Sequence, residues 1–393
     1  MLEPRAVACS LSKKIEGLMR IIFFVNTAWY FNLHWIERVN KLLDDGYEVH
    51  LVTSLNDERI RKIIEQQGVK CWHLDIDRFS LNLISNLKVL YGFYTLLNKI
   101  KPDLIHTITI KPNIIGGIIA RFKGIPQIIS IVGLGRAFQK DDKLKKIGAF
   151  LYKSILYKND RVRMIFEHNA DKFFFNTLSS IKESDLYVIN GAGVNTDKFF
   201  YKPEIVGQTT KILFASRLLK SKGLEIVVES IRDLKKDGVN VELMVAGIVD
   251  NDDPDHIPLE QLYNWQNENL IQWLGTRDDV EILLQECNIM ILPTMYAEGI
   301  PRIILEACSV GRACIVGNMP GCQSVITNGV NGIILESHDT NDLCNKIKFL
   351  HENPEIRKEF GINSARKIRE FFSTEIVVNE TLKVYQSVII DKK

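Results

Sequence analysis

The chain has 393 residues, enough for two ordinary domains, and its 46% hydrophobic and 25% charged residues are the balance of a globular protein. A formal charge of only +2 excludes whole-molecule attraction to a polyanion, so nucleic acid is not an expected partner and any lipid contact must come from a local patch. The 7 cysteines are odd in number and show no C-x2-C spacing, which argues against a disulfide framework, gives a zinc site no support and suits a reducing, cytoplasmic setting.

Residues 1–18 lack the apolar core of a secretory signal and are expected to lie outside the fold. Met19 opens into Ile21–Val25, a continuous apolar run of the kind that forms a parallel strand covered on both faces. After the loop Asn26–Asn32, residues Trp35, Ile36, Val39, Leu42 and Leu43 share one face of a helix ended by Gly46, and Glu48–Thr53 follows as a strand. The alternation continues through Leu104–Thr107, Gln127–Val132, Met164–Glu167 and Tyr187–Ile189, which makes residues 19–203 an α/β domain with a largely parallel sheet. The polar, proline-containing stretch Tyr201–Lys211 reads as a linker.

The pattern then restarts. Ile212–Ala215, Glu242–Ala246, Ile271–Leu274, Ile289–Leu292, Cys314–Val316 and Gly332–Leu335 are short apolar runs between helical segments, so residues 204–374 form a second domain of the same kind. The tail Phe372–Ile390 reads as helix, and residues 375–393 are expected to pack back toward the first domain. Two doubly wound, Rossmann-like domains would face each other across a cleft at the carboxyl ends of their strands, where ligands of open α/β sheets bind. No uncharged apolar stretch reaches the length of a bilayer span.

The most informative segment runs from Ile289 to Gly311. A strand ends in Leu292-Pro293-Thr294, Glu298-Gly299-Ile300-Pro301-Arg302 follows, and a helix carries Glu306-Ala307. The strand end delivers Glu298, Gly299 lets backbone approach a ligand closely, and Pro301 stands where a helix start tolerates proline. The free N–H groups of that helix start suit a diphosphate, and Glu306, a turn further in, has the reach to accept two vicinal hydroxyls. Alone, two glutamates at this spacing are a loop carboxylate and a solvated helix residue; the surrounding strand, glycine and proline give them meaning. Ala215-Ser-Arg217-Leu-Leu-Lys220-Ser-Lys222-Gly223 follows the strand that opens the second half, so that turn presents cations able to neutralise a diphosphate.

On these two segments the sequence resembles glycosyltransferase family 4, whose members have the GT-B fold, and the resemblance runs over nearly the whole chain from Met19. It implies that Glu298 holds the transferred sugar, that Glu306 holds the ribose of the nucleotide, and that backbone from Gly299, Ile300, Pro301 and Arg302 lies near sugar and phosphates. It implies likewise that Arg217 and Lys222 face the diphosphate. Gly191, in Asn190-Gly191-Ala192-Gly193, and Arg277 are further donor-side candidates, although a plain turn explains Gly191 nearly as well. In the first half, His106-Thr-Ile-Thr-Ile-Lys111-Pro112 and Ile131-Val-Gly133-Leu-Gly135-Arg136 resemble members that build bacterial surface polysaccharides. The family often places a histidine or acid near the second of these turns, where this chain has glycines. The substitutes are Lys111, His106 at a strand end facing the cleft, His34 at the start of the first helix, and His168; Gly133 and Gly135 are acceptor-side candidates.

The resemblance implies a retaining transfer from a nucleotide-sugar, a UDP-hexose or UDP-N-acetylhexosamine, to a polyprenyl-diphosphate-linked saccharide. No metal or other cofactor is expected, and Asp75-Ile-Asp77 follows a strand in the acceptor half with no matching donor feature. A dinucleotide enzyme lacks its third glycine, but two rivals stay open: a sugar-nucleotide epimerase and a catalytically silent partner subunit. Residues 136–163 hold Arg136, Lys140, Lys143, Lys145, Lys146, Lys153, Lys158, Arg161 and Arg163 against three aspartates, with Ile147, Phe150, Leu151, Ile155 and Leu156 at helical spacing. Such a helix either faces the core with a solvated basic side or lies on the inner face of the cytoplasmic membrane, where a lipid-linked acceptor would be found.

Overall fold

The computed structural model describes residues 19–77, 80, 82–133, 142–178, 181–296 and 298–390. Gly135, Arg136 and Lys140 of the sequence analysis lie outside these residues. The chain divides into two compact units, one made of the described residues of Met1–Ser130, Asn159–Arg163 and Val388–Lys393, the other of Ile131–Lys158 and Met164–Ser387.

The first sheet contains β1 (Arg20–Thr27), β2 (Glu48–Ser54), β3 (Lys70–His73), β4 (Leu104–Ile108), β5 (Gln127–Ile131), β6 (Val162–Phe166) and β7 (Leu186–Val188), in the order β3-β2-β1-β4-β5-β6-β7. Parallel pairing joins β1 to β2 and β4, β2 to β3, and β4 to β5. Ile21 through Val25 are fully buried, which is why the central strand is a run of apolar residues and not an alternation. Helices α1 (Ala28–His34), α2 (Ile36–Asp44), α3 (Glu58–Gln66), α4 (Leu83–Ile100), α5 (Ile110–Lys123), α6 (Asp142–Leu156) and α7 (Asn169–Leu178) alternate with the strands.

The second sheet holds β8 (Thr210–Ala215), β9 (Val241–Ala246), β10 (Gln272–Trp273), β11 (Ile289–Leu292), β12 (Ala313–Val316) and β13 (Ile333–Ile334), all parallel, in the order β10-β9-β8-β11-β12-β13. Its helices are α8 (Leu224–Lys236), α9 (Leu259–Asn267), α10 (Val280–Glu286), α11 (Arg302–Val310), α12 (Pro320–Val325), α13 (Thr340–Glu352) and α14 (Pro354–Phe371), and α15 (Thr374–Ile390) ends the chain. Both sheets reverse their strand order once, between β1 and β4 and between β8 and β11. In open parallel sheets ligands bind beside the carboxyl ends of the strands at such a reversal.

Three expectations are corrected. Asn26–Asn32 is not a loop: β1 runs on to Thr27, whose hydroxyl accepts the Tyr30 N–H at 3.3 Å as an N-cap, and α1 begins at once because Phe31 is buried. His34 therefore ends the first helix instead of starting it, and Trp35 separates α1 from α2. His106 does not stand at a strand end; it is the middle residue of β4 and fully buried. On α6, Ile155 and Leu156 are buried on the side where Tyr152 meets Phe175 of α7, ring centres 5.0 Å apart, so they belong to the core. Ile147 and Phe150 are exposed, 56% and 68%, and with Tyr157, Lys146, Lys153 and Lys158 they make the outer face. Arg163 turns inward and donates to the Asp160 and Val162 carbonyls.

Tyr201–Lys211 is an extended connection as far as Thr210, where β8 starts, yet it is anchored: Glu204 accepts from Arg357 Nε at 3.1 Å and from Asn288 Nδ2 at 2.7 Å.

Candidate functional site

The two strands beside the reversal in the second sheet, β8 and β11, each end in a turn, and the turns are joined by the Met295 N–H, which donates to the Ser221 carbonyl at 2.9 Å. The β8 turn carries Arg217 and Lys222; the β11 turn carries Tyr296 and Glu298. Lys222 Nζ pairs with Glu298 Oε1 and lies 5.4 Å from the centre of the Tyr296 ring. The Lys222 side chain is 5% exposed and that of Glu298 24%, so the pair has one buried and one accessible partner. Arg217 lies 5.9 Å from the same ring, and its Nη1 is 3.9 Å from the buried carboxylate of Asp253.

Glu306 is a buried group on α11, not a solvated helix residue. Burial raises the pKa of its carboxyl group, and the guanidinium of Arg302, one turn earlier, opposes that by donating Nε–H to Oε1 at 2.7 Å. Pro301 is the N-cap of α11, outside its first turn.

The peptide between Glu298 and Pro301 is held on several sides. Gly299 N–H donates to the Val132 carbonyl at 3.1 Å, and Ile300 N–H donates to Glu167 Oε2 at 2.8 Å. A Cβ on Gly133, whose φ is +104°, would stand 2.6 Å from the carbonyl carbon of Glu298, and one on Gly191 would stand 3.1 Å from Ile300 Cβ. Gly133 thus belongs to this group because the backbone passes too close for a side chain, and Gly191, at φ +70°, because it packs against the Ile300 side chain. The ring of His168 stands beside the Glu298 backbone; its Nδ1 accepts the Asp171 N–H at 3.3 Å and its Nε2 lies 3.4 Å from Asp171 Oδ2. Burial lowers the pKa of His168 and pushes that of Asp171 up to about 7.

The other candidates are engaged elsewhere. Arg277 forks Asp279 at the surface, with Nε–Oδ1 2.7 Å and Nη2–Oδ2 2.5 Å. In the first unit, Lys111 Nζ donates to the Asp77 and Ser80 carbonyls, the latter at 2.7 Å, and burial lowers its pKa. His106 Nε2 contacts Ser130 Oγ at 2.8 Å between the rings of Phe23 and Trp35, and burial holds its pKa well below the ordinary histidine value. His34 stacks on Tyr30 at 4.4 Å. Glu167, Tyr296 and Asp253 were not among the sequence candidates. Glu167 did carry a signal, a carboxylate at the carboxyl end of a predicted strand.

Comparison with known proteins supplies the class, a glycosyltransferase of the GT-B fold, and the family. Residues 195–367 match the model of "Glycosyl transferases group 1" and residues 20–166 that of "Glycosyl transferase 4-like". Between them the two models span most of the chain, which belongs to glycosyltransferase family 4. It is 28% identical over 383 residues to the Campylobacter jejuni N,N'-diacetylbacillosaminyl-diphospho-undecaprenol alpha-1,3-N-acetylgalactosaminyltransferase, covering 94% of this chain and 99% of that one. It is 26% identical to the Escherichia coli UDP-Gal:alpha-D-GlcNAc-diphosphoundecaprenol alpha-1,3-galactosyltransferase, covering 80% and 82%. The crystal structure of Anabaena HepE in complex with UDP has the same fold, with a TM-score of 0.76 at 16% identity over 94% of this chain and 100% of that one.

Proposed function

We propose that the enzyme transfers a hexose or N-acetylhexosamine, with retention, from a UDP-sugar to a hydroxyl of a polyprenyl-diphosphate-linked saccharide during assembly of a bacterial surface polysaccharide. The observation that carries this is the Lys222–Glu298 pair, with Arg217 beside it, at the carboxyl ends of β8 and β11. Names of relatives support the substrates: the Campylobacter and Escherichia enzymes are both named for diphospho-undecaprenol-linked acceptors and the second for UDP-galactose. Both names specify alpha linkages, the outcome of retention from an alpha-configured UDP-sugar.

In this reading the bond from the anomeric carbon to the diphosphate oxygen breaks while the acceptor oxygen bonds to that carbon from the same face. A phosphate oxygen of departing UDP takes the acceptor proton. Arg217, Lys222 and the N–H groups at the start of α11 offset the charge that develops on the leaving group. Glu298 orients the transferred sugar and Glu306 the ribose. Residues 19–203 form the acceptor half, 204–374 the donor half, and no metal is required.

The test is calorimetry with UDP and transfer assays from a panel of UDP-sugars. Glu306→Ala should weaken UDP binding about tenfold or more, as expected when a charged hydrogen-bonding group is lost, whereas Glu298→Ala should impair transfer more than UDP binding. Equal UDP affinity for the wild type and both variants would sink the assignment. Transfer should persist in excess EDTA, and loss reversed by Mg²⁺ or Mn²⁺ would overturn the metal-free mechanism.

The enzyme works, in the same proposal, on the inner face of the cytoplasmic membrane through the outer side of α6. Among the described residues no helix is long and apolar enough to cross a membrane. The exposed Ile147, Phe150 and Tyr157, interleaved with Lys146, Lys153 and Lys158, suit peripheral binding to anionic lipid at roughly 1 kcal/mol per lysine. Sedimentation with anionic vesicles should fall steeply with salt and again when the three lysines become glutamate; indifference to both changes would exclude this face.

A further inference from the structure

We propose that Glu167 is a positioning residue for the donor loop, a role that rests on reading residues 298–306 as the donor site. Its Oε2 accepts the Ile300 N–H at 2.8 Å across 133 positions of sequence. A carboxylate accepting a backbone N–H makes a charge-assisted bond, stronger than one between neutral groups. The neighbouring residue fits this contact, because any Cβ at Gly299 would collide with the Glu167 carboxylate. Immediately before Ile300, the Gly299 N–H is taken by the Val132 carbonyl at 3.1 Å.

Two consecutive amides, those of Gly299 and Ile300 just before α11, are therefore fixed by residues that follow β5 and β6. Val132 acts through its backbone carbonyl, and Glu167 supplies a charged side-chain acceptor. The loop so fixed presents the Glu298 carboxylate to Lys222. Loss of the Glu167 contact frees the Ile300 amide, loosens the turn and scatters the orientation of Glu298 and of the backbone that the resemblance places beside sugar and phosphates. Glu167 acts through the loop and needs no contact with substrate.

The length of the side chain and its acceptor atom come first in this role, and the negative charge strengthens the bond they make. Glu167→Gln keeps both, Glu167→Asp shortens the reach, and Glu167→Ala removes the acceptor. Amide hydrogen exchange read on a peptide covering residues 298–303, together with calorimetry using UDP as the probe, separates them. Exchange in that peptide should quicken about tenfold or more in the Ala and Asp variants, the effect of losing one charged hydrogen bond. Peptides from β8 and β9 should exchange as in the wild type, UDP affinity should fall about tenfold, and Glu167→Gln, which keeps the reach but makes a neutral bond, should fall between the wild type and Glu167→Ala in both readouts. Gly299→Ala should mimic Glu167→Ala, and the double variant should be no worse than either single one, since both changes break the same contact.

Unchanged exchange in Glu167→Ala overturns the proposal whatever happens to UDP. Tighter UDP binding in that variant overturns it too, because the carboxylate would then be competing with the nucleotide. Faster exchange in a protein whose wild type binds no UDP upholds the positioning contact and removes the donor-site reading instead.

Discussion

Lys222→Ala should lower transfer by about two to three orders of magnitude, the effect of removing one preorganised group that stabilises developing negative charge. The ammonium is nearly buried and fixed between the Glu298 carboxylate and the Tyr296 ring, so little reorganisation is needed when a diphosphate departs. The effect should fall mainly on kcat, since in the proposed reading bare UDP still meets Arg217 and Glu306. The fold should survive, because the Glu298 side chain left behind is 24% exposed and water can solvate it. Lys222→Arg should not restore activity: a planar fork does not fit a seat shaped for a compact ammonium. Steady-state kinetics with a saturating UDP-sugar, alongside a melting curve, check this. Activity within tenfold of the wild type at unchanged stability would remove Lys222 from the mechanism.

The largest effect on stability is expected at Arg357. Its Nε donates to both oxygens of Glu204 at 3.1 Å, and its Nη1 serves the Leu350 and His351 carbonyls, the latter at 3.3 Å. Both side chains of the pair are under 10% exposed, at 3% and 7%. Arg357→Ala leaves a buried carboxylate without its cation and two carbonyls without donors, a change that costs about 3–5 kcal/mol. At about 2–4 °C per kcal/mol for a protein unit of this size, the midpoint should drop by roughly 10 °C. Combining Arg357→Met with Glu204→Gln should recover much of the loss, because no uncompensated charge is then buried. A single variant as stable as the wild type in thermal and urea denaturation would show that water reaches Glu204.

The strands were legible because parallel strands buried on both faces are written as unbroken apolar runs; Ile21–Val25 and Ile289–Leu292 came through within a residue or two. The positions of Arg217, Lys222, Glu298 and Glu306 in the fold are legible because each stands at a fixed offset from such a strand or from the helix after it. Where pattern and burial disagree, the pattern misleads. Asn26–Asn32 is polar and aromatic enough to pass for loop, but Thr27 caps it and the buried Phe31 pulls it into helix. His106, polar in type, is buried because Ser130 and two aromatic rings receive it. Contacts between distant positions, Glu167 with Ile300 and Glu204 with Arg357, leave no periodic trace and appear only once the chain is folded.

The grouping of residues into units bears on how this molecule can be taken apart. A fragment cut at the connection, 204–393, would retain Arg217, Lys222 and the whole glutamate segment, and would look self-sufficient on paper. It would lack Val132, Gly133, Glu167, His168 and Gly191, which surround residues 298–300. It would also lose Val194, whose backbone bonds to Phe372 and Thr374 at the start of α15. The glutamate motif is therefore a short sequence whose working shape is specified well outside its own half of the chain. Grafting that half onto a foreign partner, as in a chimeric transferase, would transplant the letters of the motif without the residues that give it its conformation.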